Sequence, residues 1–151
     1  MPTKVLIADD NSTIRDLIKH TLSVRPDLEI CGEAIDGLET VEKARVLQPD
    51  LILLDFSMPK MNGTEASSII KKRFPNIAII LFTMHGDSVG KSMQVATGVD
   101  AVLSKPDGVS DLLGAIDAIL AGKNPGKPPL FGPTAEAIKF FLTRQRRLIT
   151  V

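Results

Sequence analysis

The chain has no tryptophan, no tyrosine and a single cysteine, and its formal net charge is zero. With six phenylalanines as its only aromatics, it must build its core from aliphatic side chains. One cysteine excludes an internal disulfide. Cys31 lies in the strand-like run LEICGEA and reads as a buried thiol in a reducing compartment rather than a reactive one. Zero net charge argues by itself for neither a nucleic-acid nor a membrane partner. No stretch approaches the roughly 20 apolar residues that a spanning helix needs. The start, MPTKVLIADD, meets two acids too soon for a secretory signal. These absences lead us to expect a cytoplasmic protein with no membrane association.

The zero charge hides an asymmetry. Residues 122–151 carry Lys123, Lys127, Lys139, Arg144, Arg146 and Arg147 against Glu136 alone, so the preceding body is acidic. The length of 151 residues suits one domain and a tail. Two periodicities alternate along the body. Lys4–Ala8, Leu28–Ala34, Leu51–Leu54, Ala78–Phe82 and Ala101–Ser104 are short apolar or β-rich runs, three of them nearly continuous, as expected of strands buried on both faces. Helical patterns lie between them. Ile14, Leu17, Ile18 and Leu22 form a stripe after the cap candidates Asn11 and Ser12. Leu38, Val41 and Ala44 form a weaker one after Gly37, and Ile69 and Ile70 belong to Thr64–Phe74, closed by Pro75. Val89 to Ala96 is poorly patterned. Val109, Leu112, Leu113, Ile116 and Leu120 form the clearest stripe, ended by Gly122. Five βα units in this order predict an α/β fold with a parallel sheet and helices on both faces.

Four of the strand-like runs end in polar residues: Asp9-Asp10, Asp55, Thr83 and, after AVLS, Lys105. In a parallel sheet those ends meet along one edge, where ligands of open α/β sheets bind. A carboxylate can attack phosphorus. Clustered carboxylates call for a hard divalent cation, which suits Mg²⁺. A hydroxyl and an ammonium then serve the phosphoryl oxygens. The set suits acceptance of a phosphoryl group, and no general base is evident.

The segments DD at 9–10, LLDFSMPKMNG within 51–63, LFTMH at 81–85 and LSKP at 103–106 resemble the receiver domain of bacterial two-component response regulators, over about residues 3–121. Forty-five residues separate Asp10 from Asp55, 28 separate Asp55 from Thr83, and 22 separate Thr83 from Lys105. The wording is most similar to the subfamily that usually carries a C-terminal helix-turn-helix. The resemblance implies a flavodoxin-like (βα)5 doubly wound sheet of strand order 2-1-3-4-5. It implies Asp55 as phosphoacceptor, with Thr83 and Lys105 contacting the phosphoryl group. Mg²⁺ would be held by Asp9, Asp10, Asp55 and the backbone carbonyl of Ser57. Pro106 would follow in a strained turn. The donor would be a sensor histidine kinase or a phosphotransfer protein. The chain would be a switch, not an enzyme beyond self-phosphorylation from phosphodonors and autodephosphorylation. Ser57 and His85 sit where the family tunes the phosphoryl lifetime.

Two departures stand out. Val102 occupies the position of a usual aromatic switch residue, three before the lysine. After Gly122, GKNPGKPPLFGP holds four prolines and three glycines in twelve residues and reads as a linker, 122–133. Residues 134–151 then read as a short basic amphipathic helix with Ile138, Phe141, Leu142 and Ile149 roughly on one face. The expected domains are therefore a receiver, 1–121, a linker and a tail helix, with too few residues after Gly122 for the usual DNA reader. Arg146-Arg147 reads as a solvated basic face and the Phe140-Phe141 pair as packing, so the tail is expected to dock on an output protein or a second copy, as a homodimer, rather than on nucleic acid. His20 reads as a surface residue and Met58 and Met61 as loop packing. The alternatives are a truncated DNA-binding transcriptional regulator and a Mg²⁺-dependent phosphatase resembling the haloacid dehalogenases. In the latter class a second Asp follows the nucleophile by two residues, where this chain has Ser57.

Overall fold

A computed structural model describes residues 2–83, 98–104 and 108–123. The chain divides into two compact units, Met1–Pro106 and Asp107–Val151. The first holds five strands, β1 (Thr3–Ala8), β2 (Leu28–Ala34), β3 (Leu51–Asp55), β4 (Ala78–Thr83) and β5 (Ala101–Ser104), with helices α1 (Ser12–Leu22), α2 (Gly37–Leu47) and α3 (Gly63–Arg73). Among the described residues of the second lies one helix, α4 (Gly108–Lys123). The segment 89–96 and the tail 134–151, both read as helical from sequence, lie outside the described residues.

All strand pairs are parallel, in the order β2-β1-β3-β4-β5. The flavodoxin-like expectation holds. The central strands β1, β3 and β4 are apolar over residues 5–8, 51–54 and 78–82, where both their faces are covered. Residues of β3 from Leu51 to Leu54 and of β4 from Ala78 to Leu81 are essentially inaccessible. Leu6, Ala8, Ile52, Leu54, Ile79 and Leu81 share one cluster with Ala44 of α2 and Ala66 and Ile70 of α3, and Val102 of β5 is partly buried against it. The alternate residues Val5, Ile7, Leu51 and Leu53 point to the opposite face, where α1 lies with Ile18 and Leu22 buried.

Local chemistry fixes the helix starts. Asn11, Asp36 and Asn62 cap α1, α2 and α3, each accepting backbone N–H groups of the first turn on its side-chain oxygen. The stripes differ from the sequence expectation in detail. Leu17 and Leu38 stay exposed, at 46% and 52%. In α2 the buried positions are Gly37, Thr40 and Ala44, small residues turned inward while Leu38 turns outward. In α4 Leu112 and Ile116 are buried as expected, Ile119 joins them, and the helix runs through Gly122 to Lys123 instead of stopping before it.

β2 carries an irregularity invisible in sequence. Val5 pairs with Ile30 but Leu6 pairs with Gly32, so Cys31 is an extra residue on β2. Cys31 and Ala34 therefore both serve the α2–α3 cluster although they lie three positions apart. Burial pushes the Cys31 thiol up from its ordinary range, and the thiol donates to the Val5 carbonyl at 3.5 Å. At the amino ends of the strands, carboxylates lock the chain. Asp50 accepts from the Lys4 N–H at 2.9 Å, and Asp100 accepts from the Ile79 N–H at 2.9 Å and from Lys71 at 2.7 Å. Those ends are closed by hydrogen bonds to the backbone, and the carboxyl ends carry the candidate site.

Candidate metal centre

The chain runs from β1 outward to β2, then back across β1 to β3. The carboxyl ends of β1 and β3 therefore flank the point where the winding reverses, the ligand crevice of this architecture. Asp9 and Asp10 follow β1 directly, and Asp55 is the last residue of β3. Ala8 pairs with Leu54, which sets Asp9 level with Asp55. One carboxylate oxygen from each of Asp9, Asp10 and Asp55 lies within 4.8 Å of the others. Asp9 and Asp55 are buried, at 2% and 6% exposure, and Asp10 is exposed.

Three carboxylates at that spacing repel. At an effective dielectric near 20, two unit charges about 5 Å apart cost roughly 3 kcal/mol, less where Asp10 meets water. A hard divalent cation reverses that sign, and three carboxylates with room for water are the donor set Mg²⁺ prefers. The fit rests on donor chemistry and spacing together.

The backbone around the cluster is tightly held. The Asp9 N–H donates to the Ala34 carbonyl at 3.0 Å, and one Asp9 carboxylate oxygen accepts from the Asn11 N–H at 2.9 Å. Past β3, the Phe56 N–H donates to the Phe82 carbonyl, and the Gly63 N–H returns to the Phe56 carbonyl, both at 2.8 Å. A Cβ on Gly63 would sit 2.2 Å from the Asp55 carbonyl oxygen, so only glycine lets α3 begin beside Asp55. Gly37 is pressed against the same loop, where a Cβ would lie 2.1 Å from the Met61 carbonyl oxygen. Met58 is buried and Met61 partly so, as loop packing requires. Lys60 of this loop has φ +67° and sits 3.5 Å from the buried Asp36 carboxylate.

Of the residues singled out from sequence, the structure brings the three carboxylates together. Thr83 ends β4, 3% exposed, one residue beyond Phe82, the partner of Asp55. Ser57 is exposed, two residues past Asp55. Lys105 directly follows Ser104, the register partner of Thr83, but Lys105, Pro106 and His85 lie outside the described residues. His20 is exposed, as expected. Sequence reasoning passed over Arg15, whose guanidinium donates to the Asp9 carbonyl at 2.7 Å. Its position on α1 gave no sign of that contact.

The family model for the response regulator receiver domain matches residues 5–117. The chain belongs to that family. The receiver is 38% identical over 116 residues to the response regulator protein VraR of Staphylococcus saprophyticus, a match covering 77% of this chain and 56% of the relative. The chain thus spans little more than half the length of that relative. Among solved structures, the response regulator domain of Thermotoga maritima CheB is 29% identical with a TM-score of 0.68, covering 82% of this chain and 96% of that one. A DNA-binding response regulator of the LuxR family from Staphylococcus aureus is 26% identical with a TM-score of 0.71, covering 78% and 98%. The general function of a receiver in a two-component system is phosphorelay on an aspartate, and such a domain implies a histidine kinase or phosphotransfer partner. Receivers act as signalling switches, not generally as enzymes, and commonly bind Mg²⁺ at an acidic pocket such as the one formed by Asp9, Asp10 and Asp55. Among the described residues no helix is long and apolar enough to cross a membrane.

Proposed function

We propose that Asp55 accepts a phosphoryl group from a phosphohistidine of a sensor kinase or phosphotransfer protein. Convergence of the Asp9, Asp10 and Asp55 carboxylates at the winding reversal is the observation that carries this reading. An Asp55 oxygen bonds to phosphorus as the phosphorus–nitrogen bond breaks, and the imidazole nitrogen leaves with the electron pair and takes up a proton. Asp9, Asp10, Asp55 and the Ser57 carbonyl would hold Mg²⁺, which when bound neutralises the charge gathered on the phosphoryl oxygens. The Thr83 hydroxyl donates to one of those oxygens and Lys105 pairs with another. The buried floor formed by Asp9, Asp55 and Thr83 limits water on one side of the acceptor. Small phosphodonors would load the same residue, and slow hydrolysis would clear it, at a rate tuned by Ser57 and His85. The expected locale is the cytoplasm, where the donor histidine is made.

The test is loading from acetyl phosphate with and without Mg²⁺. Label appears on the wild type only with the metal, and Asp55→Ala abolishes it. Label retained in that variant refutes the assignment.

For output, we propose a receiver spanning 1–121, a linker over 122–133 and a tail helix at 134–151 that docks on a protein partner or a second copy, so that the receiver works as a stand-alone switch. The second reading is a transcriptional regulator of which this chain is one part. The greater length of the matched relatives favours it, as does the likeness to a structure described as DNA-binding. Binding of the whole native protein to duplex DNA that weakens steeply with salt selects the second reading, and a phosphorylation-dependent change in its mass without DNA binding selects the first.

A further inference from the structure

Arg15 lies on α1, six residues beyond Asp9, and its side chain is only 16% exposed. One guanidinium nitrogen donates to the Asp9 carbonyl at 2.7 Å, and Nε donates to a Glu33 carboxylate oxygen at 3.0 Å. Glu33 also pairs with Lys19 at 3.3 Å, and Lys43 of α2 donates to its carbonyl. Asp9 is thus held at three atoms: its N–H by Ala34, its carbonyl by Arg15, and a carboxylate oxygen by the Asn11 N–H. We infer that Arg15 is a positioning residue for the metal centre, fixing the Asp9 peptide so that its carboxylate stays aimed at the oxygens of Asp10 and Asp55. The inference rests on the Mg²⁺ site proposed above.

The charge on Arg15 argues for positioning over electrostatics. A lone cation beside three carboxylates would compete with the metal. Glu33 neutralises the guanidinium on the side away from Asp9, so the geometry of the fork is kept while its repulsion of Mg²⁺ is reduced. The planar fork meets the Asp9 carbonyl and Glu33 through two different nitrogens, a geometry that the single nitrogen of a lysine does not reproduce.

The two roles predict opposite signs. Mg²⁺ is titrated by calorimetry into the intact wild-type chain, Arg15→Met and Arg15→Lys, well below the metal-free melting temperature of each. If Arg15 positions Asp9, Arg15→Met weakens Mg²⁺ binding about tenfold, the scale set by partners that orient metal ligands. Arg15→Lys, which keeps the charge and is the safer variant for folding, weakens it in the same direction by less. A purely electrostatic Arg15 gives tighter binding in Arg15→Met and no change in Arg15→Lys. Tighter binding in the first, or wild-type affinity in the second, overturns the inference and leaves the metal site standing. A wild-type titration with no heat that Asp10→Asn diminishes refutes the metal site itself.

Discussion

The Arg25 guanidinium is 6% exposed and is met by Asp27 with two hydrogen bonds, at 2.7 and 2.8 Å. That partner holds the Asp27 carboxyl below the ordinary carboxylate range, against a smaller opposing effect of burial. A carboxylate depressed in the folded state stabilises above its unfolded value, near 3.9, and loses that contribution as pH falls through the folded value. Asp27→Asn is therefore expected to cost about 1 kcal/mol at pH 7, a figure kept low because Asp27 is partly exposed. Urea midpoints for wild type and variant are expected to converge as the pH drops below about 4, and a gap of constant size down to acid conditions would contradict this. The site shows the same dependence on single groups. Gly63 and Gly37 are needed for want of a Cβ, and Asp9 for an orientation set at three of its atoms.

Helix ends and strand ends were the legible elements. Asn11 and Pro75 marked their boundaries in the sequence, and the continuous apolar runs of β3 and β4 announced strands covered on both faces. The three carboxylates could be placed on one edge because a strand has two ends and parallel strands share them. Arg15 and the extra residue on β2 were not legible, since each depends on a partner in another element. Leu38 was misjudged because α2 packs with its small residues inward, where Thr40 and Ala44 are buried. The end of α2 carries a testable cost. Gln48 closes it in the left-handed region, φ 47° and ψ 60°, a conformation that favours glycine. Gln48→Gly is expected to stabilise the fold by roughly 0.5–1 kcal/mol after allowance for the freer unfolded chain. Chemical denaturation that shows a net loss would mean that the Gln48 side chain, which donates to the Arg45 carbonyl at 3.0 Å, matters more than the backbone.

At the scale of the molecule, one end of the sheet is pinned and the other is charged. Asp50 and Asp100 secure the amino ends of the strands, so changes on phosphorylation are expected to concentrate at the carboxyl edge. If Mg²⁺ with beryllofluoride binds the folded state alone, it is expected to raise stability by about 2.7 kcal/mol at a hundredfold excess over the dissociation constant. Differential scanning calorimetry on wild type and Asp55→Ala checks this. The beryllofluoride increment is expected to vanish in the variant, and its persistence would place the acceptor elsewhere. Val102, where an aromatic is usual, packs against the cluster beneath α2 and α3, so any coupling to output proceeds without a rotating ring at this position.

The surplus residue on β2 works as a spacer of fixed length. It turns Glu33 towards α1 and keeps the Ala34 carbonyl on the peptide of Asp9, whereas an unbroken alternation from Ile30 would put Glu33 on the opposite face. The number of residues between Ile30 and Ala34 is therefore a constraint in its own right, beside the chemistry of Gly32 and Glu33. Losing a single link there would rotate the rim strand out of step with the carboxylate cluster.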